Sequence, residues 1–168
     1  MKNTFILITL LLISCLSFAQ ESNNGKQLWA KSILNEKAPD LTVTEWLSKQ
    51  PDTKGKFVLV DFWATWCGPC RQAIPELNEI QKQFKDDLVV IGISDETADK
   101  IKAMEKPVIE YYCGIDPQGT MKKSLEVKGI PHIILIDPQG IVRWEGFPFL
   151  EGHKLTPEVV KNLIQKYK

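Results

Sequence analysis

One junction constrains this 168-residue chain more than any other feature. Phe57 to Ala64 (FVLVDFWA) is a nearly continuous apolar, β-rich run, the pattern of a central strand covered on both faces. Asp61 interrupts it. After Thr65 and Trp66, Cys67-Gly68-Pro69-Cys70 opens a stretch in which Ile74, Leu77, Ile80 and Phe84 recur at spacings of three and four, so they share one helical face. Pro75 removes one backbone donor and is expected to kink that helix. Cys67 falls at the helix N-terminus, where free N–H groups and the helix dipole favour a thiolate. Cys70, one turn later, faces the same side and is expected to be the more buried of the two. Two intervening residues let the sulfurs close a small ring without moving the helix. The pair can therefore cycle between dithiol and disulfide. Two other readings stand beside this one. A permanent structural disulfide gains little, because so small a ring removes little chain entropy. A zinc site needs four ligands; Cys113, His132 and His153 are what remains to supply them, with no second CxxC and no HxxxH, so no metal is assigned.

The rest of the chain supplies a frame for the junction. Leu88 to Ile93 (LVVIGI) reads as a second buried strand, and Ser94 and Asp95 then lead into a helix through about Lys106. Val108 to Gly114 reads as a strand and Pro117 to Leu125 as a short helix. Ile133 to Ile136 and Ile141 to Trp144 read as strands joined by the turn Asp137-Pro138-Gln139-Gly140. Thr156 caps a last helix with Pro157 at its first position and Glu158 in its first turn. Ahead of the junction, Trp29 to Leu34 and Leu41 to Val43 read as short edge strands, with Thr44 capping a short helix through Leu47 and Gln50 to Lys56 as a loop. The fold class is α/β: a mixed central sheet with helices on both faces and an N-terminal strand extension. Hydrophobic residues at 43% and charged residues at 25% are ordinary for a globular chain. Twenty-one basic and 21 acidic residues give a formal net charge of +0, which removes the basic surplus that a nucleic-acid partner requires.

Residues 1–19 read as a targeting segment. Lys2 gives a positive start, and Phe5 to Ile13 (FILITLLLI) is apolar except for Thr9. That run is shorter than the roughly 20 residues a spanning helix needs. Ser17-Phe18-Ala19 places small residues at the two positions a signal peptidase reads, so cleavage after Ala19 is expected. Leu12-Ile13-Ser14-Cys15 offers a second outcome, lipidation of Cys15, against which the residues after Cys15 stay apolar; a retained anchor is the third. Each outcome places the folded part outside the cytoplasm, in the periplasm or cell envelope, where disulfides form. Residues 20–27 follow as a flexible lead-in, and residues 28–168 form one domain.

Val58-Leu59-Val60-Asp61-Phe62-Trp63-Ala64 followed by Trp66-Cys67-Gly68-Pro69-Cys70 resembles the active-site strand and motif of thioredoxin. Pro75 resembles that family's kink proline, and Gly129-Ile130-Pro131 its cis-proline loop. The leader, Ala38-Pro39-Asp40 and the hairpin Ile136 to Val142 resemble the exported TlpA/ResA-like thiol-disulfide oxidoreductases. The resemblance covers most of residues 29–168 and implies a thioredoxin-like fold. It implies a redox-active disulfide between Cys67 and Cys70, with Cys67 as nucleophile and Cys70 as the resolving thiol. It implies that Asp61 is a buried carboxylate of raised pKa that takes a proton from Cys70. It also implies that Trp66, Gly68, Pro69, Ile130 and Pro131 form the substrate-binding surface, with the Ile130–Pro131 bond cis and the Ile130 backbone pairing with an extended substrate segment. The partners it implies are a disulfide-containing protein substrate and a membrane thiol donor; it implies no cofactor.

Other residues have blander readings. Cys113 reads as a small buried hydrophobe, with a resolving thiol or an intermolecular link as alternatives. His132 reads as a strand-start histidine with a satisfied hydrogen bond, His153 as surface, and Trp63 as packing. Two rival functions are a peroxiredoxin-like peroxide-reducing enzyme and a non-catalytic module using the thioredoxin fold as a platform. The first lacks a Thr/Pro-rich context around Cys67 or Cys113; the second usually loses one of the two cysteines.

Overall fold

Residues 28–168 are described by a computed structural model. The leader, the lead-in and Cys15 lie outside the described residues. Six strands and four helices follow in chain order: β1 (Glu45–Trp46), β2 (Phe57–Phe62), α1 (Gly68–Gln83), β3 (Leu88–Ser94), α2 (Ala98–Lys102), β4 (Tyr112–Ile115), α3 (Thr120–Ser124), β5 (His132–Ile136), β6 (Val142–Gly146) and α4 (Pro157–Tyr167). The strands form one sheet in the order β1-β4-β3-β2-β5-β6. β2, β3 and β4 are parallel, whereas β5, β6 and β1 add antiparallel strands. The expected mixed sheet is present, and β2 and β3 at its centre are buried along nearly their whole length, as their apolar runs require.

The two faces of the sheet carry separate cores. On one, Leu59 and Trp63 of the β2 stretch pack with Val90, Ile133 and the α1 residues Ile74, Leu77 and Ile80, together with Val160 and Ile164 of α4. On the other, Val60 and Phe62 pack with Ile91, Ile93, Ile134 and the α3-side residues Met121 and Leu125. Alternation along β2 therefore puts Asp61 on the α1 side, between Leu59 and Trp63. The α1 contribution rests on the predicted stripe: Ile74, Leu77 and Ile80 are buried and Phe84 packs against them. Burying such a side chain contributes about 1.5–3 kcal/mol, and truncating one to alanine costs about 2–5 kcal/mol. α1 runs continuously through Pro75. Thr156 Oγ1 accepts from the Val159 N–H at 3.3 Å, so the α4 cap is formed as the sequence indicates.

Four local expectations differ from the structure. β4 begins at Tyr112 and not at Val108, because Asn78 of α1 takes the Val108 carbonyl and the Glu110 N–H that strand pairing would use. Residues 29–34 and 41–43 are not strands; the N-terminal extension reaches the sheet through a single Lys37–Ile141 bridge and through β1. Its ordering comes from long-range pairs instead, with Asn35 N donating to Val142 O, Lys31 N to Leu125 O and Ile33 N to the Glu145 carboxylate. Residues 44–47 are not a helix: Thr44 N donates to Ile115 O and Leu47 N to Cys113 O, so this stretch pairs along β4 as β1. α2 spans only Ala98–Lys102, well short of Lys106.

Candidate active site

The loop between β2 and α1 ends at Cys67, which is the N-cap of α1. Its sulfur accepts the Cys70 backbone N–H at 3.2 Å. The two sulfurs are joined in a disulfide across a Cα–Cα distance of 5.2 Å. Pro69 in the first turn sacrifices a donor that would be unpaired there in any case. Cys67 is 4% exposed and Cys70 0%, the order expected for an entering and a resolving sulfur. Gly68 and Pro69 are exposed between them, and Trp66 stands 72% exposed alongside. A Cβ on Gly68 would meet no atom within 4 Å, so this side of the disulfide opens to solvent.

The second wall comes from far along the chain. Ile130–Pro131 is cis, as expected, and the Ile130 carbonyl oxygen lies 3.7 Å from Cys67 Sγ. Trp29 packs over Gly129, where an added Cβ would come within 3.0 Å of the indole ring, so the approach of the loop to the N-terminal segment requires glycine at this position. The loop before Cys67 is held from β3's far end: the Glu96 carboxylate accepts the Thr65 N–H at 2.6 Å and the Thr65 hydroxyl at 2.9 Å. Glu96 was not legible as a site residue, because its partner is 31 positions away and no short motif joins them.

Asp61 is 0% exposed, on the face of β2 whose neighbours Leu59 and Trp63 pack with Cys67, Cys70 and α1. Neither of its carboxylate oxygens has a hydrogen-bond partner, and the same is true of Trp63 Nε1 and the Tyr111 hydroxyl. Burial raises the Asp61 pKa from the ordinary 3.8 to about 8, with the nearby Tyr111 hydroxyl acting in the opposite direction. Asp61 sits in register with Gly92 on β3, and Gly92 with Cys113 on β4. A Cβ on Gly92 would come within 3.0 Å of both Trp63 Nε1 and Tyr111 Cε2, so the glycine makes room for this cluster. The lone glycine inside LVVIGI was the one sequence signal of that close approach; Tyr111 had none.

The remaining residues are placed as follows. Among the described residues Cys113 is the free cysteine; it is buried, and burial followed by the Asp61 charge pushes its thiol up to about 12. His132 opens β5, is buried and stacks on Phe62 at 6.2 Å. His153 corrects the surface reading: its ring stacks on Trp144 at 4.8 Å and its Nε2 lies 2.9 Å from Glu145 O. An extended turn that returns over β6, rather than a free loop, puts it there. Trp63 is buried packing, as expected, but carries an unpartnered indole N–H.

A site with a helix-capping sulfur, a buried second sulfur and a buried acid can exchange disulfides, with the acid giving or taking the proton of the inner thiol. Comparisons with known proteins find relatives named for disulfide exchange. A family model described as the AhpC/TSA family matches residues 34–145. The thiol-disulfide oxidoreductase ResA of Bacillus thuringiensis subsp. konkukian is 34% identical over 142 residues, covering 81% of this chain and 79% of the relative. The thiol:disulfide interchange protein DsbE of Pseudomonas aeruginosa is 40% identical over 122 residues, covering 71% of this chain and 63% of that protein. Among solved structures, the thioredoxin domain of a thiol-disulfide oxidoreductase from Bacteroides vulgatus superposes with a TM-score of 0.64 at 27% identity, covering 82% of this chain and 99% of the other.

Proposed function

The chain belongs to the AhpC/TSA family and is a thiol-disulfide oxidoreductase of thioredoxin-like fold, and from that premise we propose that Cys67 and Cys70 are its exchanging pair and that it works as a reductase of protein disulfides. The observation that carries this reading is the Cys67–Cys70 disulfide at the α1 N-cap with the unpartnered Asp61 carboxyl buried on the same face of the sheet.

The reduced Cys67 thiolate attacks a substrate disulfide. One substrate sulfur joins Cys67 and the other leaves as a thiolate. The α1 N-terminus stabilises the Cys67 thiolate, and the Cys70 N–H donates to it directly. Asp61, as carboxylate, takes the Cys70 proton. Cys70 then attacks Cys67, the internal disulfide forms, and the second substrate sulfur is released with the electron pair. In the reverse half-cycle a donor thiolate attacks Cys67, and Asp61 as acid protonates the departing Cys70. A raised pKa near 8 leaves both Asp61 forms available for these opposite tasks. Trp66, Gly68, Pro69, Ile130 and Pro131 surround Cys67 and form the docking surface for the substrate segment.

The substrate is a disulfide-containing protein, and a membrane thiol donor re-reduces the pair. The site is in the cell envelope or periplasm. Residues 1–19 direct export, with cleavage after Ala19 or a lipid at Cys15. No helix among the described residues is long and apolar enough to cross a membrane. The peroxide-reducing reading is weaker, because the buried Cys113 thiol is held protonated and Cys67 is committed to Cys70. Retention of both cysteines argues against a non-catalytic module.

The test is capture of a mixed disulfide. Cys70→Ser is expected to accumulate a Cys67-linked adduct with a disulfide-bonded test protein, and Cys67→Ser to accumulate none and lose reductase activity. Adduct formation through Cys113 in the Cys67→Ser variant would contradict the assignment.

A further inference from the structure

Among the described residues three buried side-chain polar groups lack partners and lie together: the Asp61 carboxyl, the Tyr111 hydroxyl and the Trp63 indole N–H. The exchange reaction uses the first and says nothing of the others. Tyr111 is buried and immediately precedes β4. Its ring edge meets the space over Gly92 that Trp63 Nε1 also borders. Tyr111 also lines a cavity of about 330 Å³, together with Cys113, Leu47, Ile101, Met104 and Ile109. Tyr111 thus belongs both to the Asp61 cluster and to the lining of a cavity that reaches the surface at the exposed Val108.

That placement bears on how Asp61 equilibrates with solvent between the two half-cycles, apart from handing its proton back to Cys70. Each resolving step loads a proton onto Asp61, which is 0% exposed. The groups around it offer few ways out. β3 presents Gly92, which has no side chain, and β5 presents Ile133 in register. β4 presents Cys113, a protonated thiol whose own ionisation the Asp61 charge opposes. Trp63 N–H can donate but cannot accept. α1 supplies Cys70, which is where the proton came from, and α4 supplies apolar Val160 and Ile164. Lys102 and Glu105 line the cavity beyond Tyr111. The Tyr111 hydroxyl can both accept and donate, and it is electrostatically joined to Asp61, each acting on the other's ionisation.

We propose that Tyr111 is the positioning residue of Asp61: its hydroxyl orients the carboxyl group and passes its proton to solvent in the cavity beside Cys113. The proposal rests on the exchange mechanism above. In the step, the Asp61 acid gives its proton to the Tyr111 oxygen while the Tyr111 hydroxyl proton passes to solvent. Asp61 returns to carboxylate and Tyr111 to a neutral phenol, so the net change is one proton moved from Cys70 to solvent. No electron is moved by Tyr111.

The test is Tyr111→Phe, which removes one oxygen and keeps the ring that packs over Gly92. Two readouts are taken on the full chain. The first is the ¹³C carboxyl titration of Asp61 in the oxidised protein, which does not depend on activity. Loss of the hydroxyl is expected to move its midpoint upward by half to one pH unit. The second is the rate at which Cys70 resolves a preformed Cys67 mixed disulfide, expected to fall three- to tenfold near pH 7 while the formation of that mixed disulfide is unchanged. If Tyr111→Phe is poorly folded, 3-fluorotyrosine at position 111 keeps the hydroxyl but makes it more acidic, and is expected to move the Asp61 midpoint downward. An unmoved midpoint and an unchanged resolving rate in a folded variant would overturn the proposal while leaving the exchange function intact. A wild-type protein that titrates with the Tyr111 dependence but resolves no mixed disulfide would overturn the exchange reading and confine Tyr111 to positioning Asp61.

Discussion

Asp61 and Asp137 are both buried carboxylates beside β-strands, and the protein treats them in opposite ways. Asp137, at the β5–β6 turn, accepts the Gln139 and Ile141 N–H groups at 2.9 Å each and the Arg143 Nε at 2.6 Å. Gly140, at φ +83°, supplies the left-handed residue that lets those donors converge. Asp61, in the middle of β2, meets none: its strand neighbours in register are Gly92 and Ile133, and both of its oxygens are unpartnered. In the first carboxylate burial is compensated by three donors; in the second no hydrogen bond is formed, and it shares a face of the sheet with the Cys67–Cys70 disulfide. A buried polar group without partners costs stability, so its persistence points to chemistry.

The comparison is sharpened first by Asp61→Asn. The folded-state value of Asp61 is raised, so folding takes up a proton. Stability is fully present below about pH 4, is lost as pH rises toward about 8, and stays level above that. The Asn variant lacks this loss. Its unfolding free energy is expected to match wild type near pH 4 and to exceed it increasingly up to pH 8, by a gap on the order of 5 kcal/mol. Chemical denaturation across that range reads it. A constant offset would place Asp61 with Asp137 as a structural group. Asp137→Ala is expected to act with the opposite sign, because it strands two backbone donors and removes the carboxylate that the Arg143 Nε faces. A loss of about 3 kcal/mol and about 10 °C in Tm is expected, with the disulfide exchange rate of the folded fraction unchanged. Exchange kinetics that fall together with stability would blur the division between the two carboxylates.

Glu96 lies between these cases: it is buried and hydrogen-bonded like Asp137, yet its partner Thr65 stands two residues before Cys67. Thr65→Val removes the hydroxyl bond and keeps the backbone one. Its expected cost is about 1 kcal/mol by thermal unfolding, the smallest of the three effects. A loss several times larger would mean that the hydroxyl, and not the backbone bond, holds the loop.

Much of this was readable from local pattern. The apolar runs of β2 and β3, the three-and-four spacing of α1, and the cap at Thr156 depend on residues close in sequence, and they formed as written. Cys67, Cys70, Asp61, Trp66, Gly68, Pro69, Ile130 and Pro131 came from a motif and its resemblance, and the structure gathers Cys67 and Ile130 within contact across 63 positions. What was misread depends on distant partners. Residues 44–47 look locally like a capped helix, but the β4 backbone claims their hydrogen bonds. Residues 29–34 look like a strand, yet the Glu145 carboxylate and the β6 edge hold them in an irregular path. Tyr111 and Glu96 belong to the site through elements with no motif of their own.

The account stands most directly on the pH dependence of one step, the release of a chromogenic thiol from a preformed Cys67 mixed disulfide by Cys70, measured by stopped flow in wild type and Asp61→Asn. With Asp61 as the proton acceptor, the wild-type rate rises through about pH 8 and the Asn variant is slower by about 100-fold near neutrality, with no corresponding rise at that pH. Superimposable profiles would contradict the account, leaving Asp61 a buried acid with no part in the exchange.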